Sequence, residues 1–216
     1  MKIIKLLSTF SLFAYIGLIT ATGTINPAEA LFTDTQRAKI ESTISEITEE
    51  EAEDTADFVV VDKDVDAASV KRLNKSIEKL PEEIIELIEK EGLKVILTGN
   101  EKIFERVANK DENITGFYYE EENVIYIRRY YENISTLHEI GHFVEAHSKN
   151  NDFSQISERE GHKKLLEKIG YGENNIEYLL SDNSEYFASC FHFFYEEPKL
   201  MKKFQPKTFD YFLVFL

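Results

Sequence analysis

The stretch His138-Glu139-Ile140-Gly141-His142 constrains this chain more than any other five residues in it. Two histidines four positions apart lie on one face of a helix, one turn above the other. From there they can close on a single zinc ion, with the glutamate between them facing the water that such an ion activates. The flanking pattern supports a helix. At 100° per residue His138, His142 and Glu145 share one face, while Leu137, Ile140 and Val144 make an apolar stripe on the other. Asn133 or Ser135 is placed to cap its start. His147 falls about 180° round the helix and cannot reach the same ion, and Ser148 stands where an extended motif would need its last histidine.

The third protein ligand must come from elsewhere. The single cysteine, Cys190, rules out a disulfide framework and a Cys-based zinc knuckle, so the site has to be built from histidines and carboxylates. Candidates are Glu145, His162, His192 and the acidic residues after the motif. Glu185 is preferred for its helix face: Phe187, Cys190, Phe191 and Phe194 point one way, and Glu185, Ala188, Ser189 and His192 the other. A carboxylate thus heads a narrow stripe of small and polar residues suited to close packing against the histidine helix. A first-turn acid also favours the positive end of its helix, with or without a metal.

Ahead of the motif, short apolar runs alternate with helical patterns. Phe58-Val59-Val60-Val61 reads as a β run, Asp66 to Leu80 as a helix, and Glu82 to Glu91 as a second helix that Pro81 opens and Gly92 ends. Leu93 to Leu97 is a second strand, and Thr115 to Tyr119 with Val124 to Ile127 form a hairpin around Glu120-Glu121-Glu122-Asn123. From Ile134 onward every strong pattern is helical. This order predicts an α+β fold: a small mixed β-sheet with N-terminal helices, the histidine helix, and a mostly helical C-terminal lobe, all within one domain over 58–216.

The first thirty residues carry Lys2 and Lys5, an apolar stretch from Leu6 to about Thr20, and Ala28-Glu29-Ala30, the three zones of a secretory signal peptide. Residues 31–57 read as an acidic N-terminal helix or pro-like segment, with Ile40, Ile44 and Ile47 at helical spacing amid acids. A secreted protein with no stable membrane association after signal cleavage is expected. The formal net charge of -15 repels phosphate backbones and argues against nucleic acid as a partner. His162, set among charged residues, reads as solvated, His192 as a helix-surface or packed imidazole, and Cys190 as a buried free thiol.

These segments resemble the zinc metallopeptidases related to the catalytic domain of anthrax lethal factor, a gluzincin family that includes the small secreted Pro-Pro endopeptidases of clostridia. The likeness lies in His138-Glu139-Ile140-Gly141-His142 and in Glu185-Tyr186-Phe187-Ala188, similar to the family's Glu-Phe-Phe-Ala. Pro206-Lys207-Thr208-Phe209 is similar to its closing Pro-Lys-Thr-Phe, and Val70 to Leu97 to two helices and a strand of the secreted members. The resemblance implies a zincin-like fold and one Zn2+ per chain held by His138, His142 and Glu185. It further implies Glu139 as general base and Tyr178, seven residues before Glu185, as the tyrosine that steadies the oxyanion, with Tyr171 a weaker candidate. One departure matters. The family usually has a second glutamate one turn after its ligand glutamate, where this chain has Ser189; that acid is expected to hold a ligand histidine, so either another group orients His138 or zinc is held less firmly.

The expected function is that of a secreted, monomeric zinc metalloendopeptidase acting on extracellular or host proteins. Its partner would be a peptide or protein substrate, basic to suit the acidic enzyme or proline-containing as for the clostridial members. The chain has no Trp, an aromatic that secreted members place near the substrate. By family analogy, an edge strand before the motif would pair with the extended substrate. The alternative is a secreted zinc-binding pseudoenzyme, an adhesin or inhibitor; the intact Glu139 argues against it and Ser189 for it.

Overall fold

Short runs of β-branched and aromatic residues assemble into one mixed sheet. The computed structural model describes residues 55–107, 114–148 and 152–215. Strands β1 (Val59–Val61), β2 (Lys94–Thr98), β3 (Gly116–Tyr119) and β4 (Val124–Arg128) stand in the order β1-β2-β4-β3. The first three in that order are parallel, with Val95 opposite both Val59 and Ile125, whereas β3 runs antiparallel to β4 with Tyr118 opposite Ile125. Parallel neighbours need a crossover, and α1 (Ala67–Ile77) and α2 (Glu82–Glu91) supply it between β1 and β2. Val95, Leu97, Ile125 and Ile127, every second residue of their strands, are fully buried and set the core on one face of the sheet.

Local chemistry fixes the helix ends. The Asp66 carboxylate accepts from the Ser69 N–H at 2.8 Å and caps α1. Gly92 ends α2 at φ 70, in the left-handed region where a side chain would be strained. A helix that the sequence reading missed, α3 (Glu101–Val107), follows β2; it buries only Phe104, so its seven residues carry almost no periodic signal.

The histidine helix, α4 (Glu132–His147), packs on β3, β4 and α1 with Leu137, Ile140, Phe143 and Val144 buried. Neither Asn133 nor Ser135 caps it. Tyr131 stands at the cap position without a side-chain bond, and the Ser135 hydroxyl reaches Thr115 Oγ1 at 2.9 Å. The buried Glu132 carboxylate anchors the start instead, accepting from the Tyr130 N–H at 2.8 Å and from Arg72 Nε of α1 at 2.9 Å. That pairing holds Tyr130 at φ 75, a conformation rare for a residue with a side chain.

After a 3-10 turn (Asp152–Gln155), helices α5 (Arg159–Ile169), α6 (Glu173–Leu179), α7 (Asn183–Glu196), α8 (Pro198–Phe204) and α9 (Pro206–Phe215) complete the helical lobe. Phe153, Phe187 and Phe212 pack with ring centroids 4.9 to 5.8 Å apart and fasten α7 to its surroundings on the apolar side. The fold is α+β, as expected. Among the described residues no helix is long and apolar enough to cross a membrane. The expected signal segment and nearly all of the acidic 31–57 segment lie outside the described residues.

Candidate metal centre

The centre depends on how closely α4 and α7 approach. A Cβ built on Gly141 would lie 2.9 Å from Ala188 Cα and 3.2 Å from Phe191 Cβ, so the two helices meet with no room for a larger residue at that crossing. Of the expected stripe of small residues, Ala188 meets the histidine helix, beside Phe191 from the apolar face, whereas Ser189 turns to His162 of α5. Glu185, at the open first turn of α7 where Asp182 caps the backbone by accepting from the Glu185 N–H at 2.9 Å, is brought opposite both imidazoles.

Three donor atoms converge there. His138 Nε2 lies 3.2 Å from His142 Nε2 and 3.1 Å from Glu185 Oε2, and His142 Nε2 lies 3.5 Å from Glu185 Oε1. One ligand atom from each of the three residues falls within 4.8 Å of the others. Zn–N bonds of about 2.05 Å in a tetrahedron place two nitrogens about 3.3 Å apart, so the spacing of the imidazoles suits one zinc ion. Two facing imidazole nitrogens beside a carboxylate are also donors that zinc accepts together. The side chains are only 13% to 17% exposed, so the residues are fixed by packing yet open on one side.

Electrostatics follow the same geometry. Burial opposes ionisation of Glu185, but the bonds from His138 and His142 outweigh it and hold the carboxyl well below the usual carboxylate range. Burial likewise works against a charged His142, and Glu185 with Glu139 overcomes it to raise the imidazole above its ordinary value. For Glu139 burial dominates and pushes the carboxyl up, against the pull of the two histidines and of the Tyr118 backbone N–H. Its surroundings are set by the edge strand: a Cβ on Gly116 would lie 2.8 Å from Ser135 Cβ and 3.2 Å from Glu139 Oε1, so only glycine lets β3 lie against that carboxylate.

Tyr178 of α6 is 58% exposed and donates from its hydroxyl to Glu185 Oε1 at 2.9 Å, which puts it at the rim of the centre. Burial first, then Glu185, raises its pKa, keeping the phenol protonated. Tyr171 instead packs edge-on to Phe193, and burial pushes it up to about 12.

The other histidine readings need revision. His162 is fully buried, contrary to the solvated expectation, and sits in a polar network: Ser189 Oγ lies 2.7 Å from its Nε2 and Gln205 Nε2 lies 2.8 Å from its Nδ1. Burial lowers its pKa to about 3. Gln205 Oε1 in turn accepts from Tyr186 at 3.3 Å and from the buried Cys190 thiol at 3.4 Å. Ser189 is therefore engaged with His162. His192 is packed, with its Nδ1 buried and without a hydrogen-bond partner. Glu145 does not join the donor cluster but bonds Ser184, and His147 turns back to the Phe143 carbonyl at 3.0 Å.

Two histidines on one helix and a glutamate from a second make a donor set compatible with one zinc ion. Residues 127–214 match the family described as Anthrax toxin lethal factor, N- and C-terminal domain, a stretch that contains His138, Glu139, His142, Tyr178 and Glu185. The likeness to the lethal factor-like family therefore holds from the end of β4 through the helical lobe. The Pro-Pro endopeptidase of Paenibacillus alvei shares the fold at a TM-score of 0.55 and 18% identity, over 74% of this chain and 97% of that one. No curated protein sequence matches the chain.

Proposed function

We propose that this chain is a secreted zinc metalloendopeptidase in which His138, His142 and Glu185 hold the metal and Glu139 is the general base. The observation that carries the reading is the convergence of those three donors beside Glu139, a buried carboxylate on the helix that bears the two histidines. Zinc bound there would supply Lewis acidity, lowering the pKa of water at an open fourth position from about 15.7 to near 7. Glu139, with a pKa raised by burial, is suited to take a proton from the attacking water and return it to the leaving amine. Tyr178 would turn its hydroxyl from Glu185 to the oxyanion of the tetrahedral intermediate. The substrate is a peptide laid in extended form along β3, whose outer edge closes the sheet next to Glu139. The acidic surface favours a basic segment in it.

The test is cleavage of a peptide library by the zinc-loaded mature chain and by Glu139→Ala. The substitution is expected to slow turnover by about a hundred- to ten-thousandfold while zinc is retained. Cleavage near the parental rate would remove Glu139 from the role, and a parent that binds zinc but cuts nothing would favour the pseudoenzyme. Tyr178→Phe is expected to cost about ten- to a thousandfold in kcat, as for loss of an oxyanion donor; an unchanged kcat would leave that charge to other groups.

A further inference from the structure

His142 directs its second ring nitrogen away from the donor cluster, toward a pair of residues with no assigned role. Its Nδ1 lies 3.0 Å from Ser184 Oγ, and the Ser184 hydroxyl donates to Glu145 Oε2 at 2.6 Å. The polarity of this chain is determined. Because Nε2 faces His138 and Glu185, a metal-holding His142 must offer its lone pair there, and a neutral ring then carries its proton on Nδ1. That N–H donates to Ser184 Oγ, which leaves the hydroxyl proton for the Glu145 carboxylate, so every donor meets an acceptor.

We infer that Ser184 and Glu145 form a positioning relay that fixes the tautomer and ring orientation of His142 for the metal, an inference that rests on the zinc reading above. The parts come from the same two helices as the centre itself. Glu145 follows His142 by three residues on α4, and Ser184 directly precedes Glu185 on α7, so the contact that delivers Glu185 also closes the relay. A carboxylate behind a ligand imidazole makes the ring a better donor and restrains its rotation. Here the carboxylate acts through a hydroxyl at position 184, while Ser189 faces His162. Ser184 is exposed and meets competing water, which places the effect at the lower end of the ten- to hundredfold loss that such partners produce.

The experiment measures zinc dissociation constants by competition with a chromophoric chelator. Ser184→Ala is expected to weaken zinc binding about tenfold and Glu145→Gln about fivefold. The double variant should bind no more weakly than Ser184→Ala, because without the hydroxyl the carboxylate has no path to the ring. Ser184→Thr, which keeps the hydroxyl, should return within about twofold of the parent. Metal-free melting temperatures should stay at the parental value throughout. Multiplicative single effects would make Glu145 merely a nearby charge and overturn the relay, as would unchanged constants or a loss of affinity that tracks a fall in metal-free stability. Those results leave the parental zinc site standing, whereas a parent that takes up no zinc overturns both readings.

Discussion

The open first turn of α7 and the sealed turn after it each meet an imidazole, to opposite ends. At the open turn, Glu185 meets His138 and His142; one turn on, Ser189 meets His162, whose other ring nitrogen faces Gln205 from the junction of α8 and α9. The first group has a carboxylate and a path to solvent, and His142 is raised. The second has only neutral partners and no solvent, and His162 is lowered to about 3. A buried imidazole is raised or lowered according to whether an acid faces it. The sealed network explains how α7 can keep Glu185 in place: the polar atoms of Tyr186, Cys190 and Gln205 are all engaged behind it.

Acid titration of the metal-free chain should show the largest difference between the two regions. His162 and His192 both have folded values of about 3 against 6.5. Between those values the unfolded chain holds protons that the folded chain does not, so stability is lost as pH falls from 6.5 toward 3, at up to about 1.4 kcal/mol per pH unit for each ring. His142 works in the opposite sense: its raised value adds stability that is present below 6.5 and lost as pH rises through the folded value. Glu185, held low, adds a further loss only as pH drops below about 4.5. Glu139, raised by burial, offsets part of this loss above pH 4.5, so urea midpoints at pH 7, 5.5 and 4.5 are compared between parent and His162→Leu, and an acid slope that the substitution leaves unchanged would contradict a sealed His162.

Next in size is His162→Leu, which leaves Ser189 and Gln205 without their partner in a buried setting and should cost about 2–3 kcal/mol. It should also flatten part of the acid slope. Chemical denaturation measures the cost; a loss below about 0.5 kcal/mol would mean that the network relaxes around the change. Smaller still is Gly141→Ala, whose methyl must push Ala188 and Phe191 aside for about 1–2 kcal/mol by overpacking. Because it separates α4 from α7, this change should weaken zinc binding as well, a joint effect that His162→Leu would not share.

What the sequence could reveal divides along the same line. His138, Glu139 and His142 declare themselves by spacing within one helix, and the face of α7 pointed to Glu185, because both signals are local and periodic. His162 was misread from charged sequence neighbours, although Leu165 and Leu166 share its buried helix face. Its partners Ser189 and Gln205 lie 27 and 43 residues away, a distance no helical period spans. Ser135 bonds Thr115 rather than capping α4, and Glu145 reaches Ser184, 39 residues on, for the same reason. The helix α3 stayed hidden because a single buried side chain makes no pattern.

The central claim is that α4 and α7 together grip one zinc ion, and metal content tests it most directly. Purified mature chain, dialysed against metal-free buffer after loading, should retain one zinc per chain by elemental analysis, and Glu185→Ala should retain almost none. A parent that loses its zinc on dialysis, or a Glu185→Ala variant that keeps it as firmly as the parent, would contradict the claim.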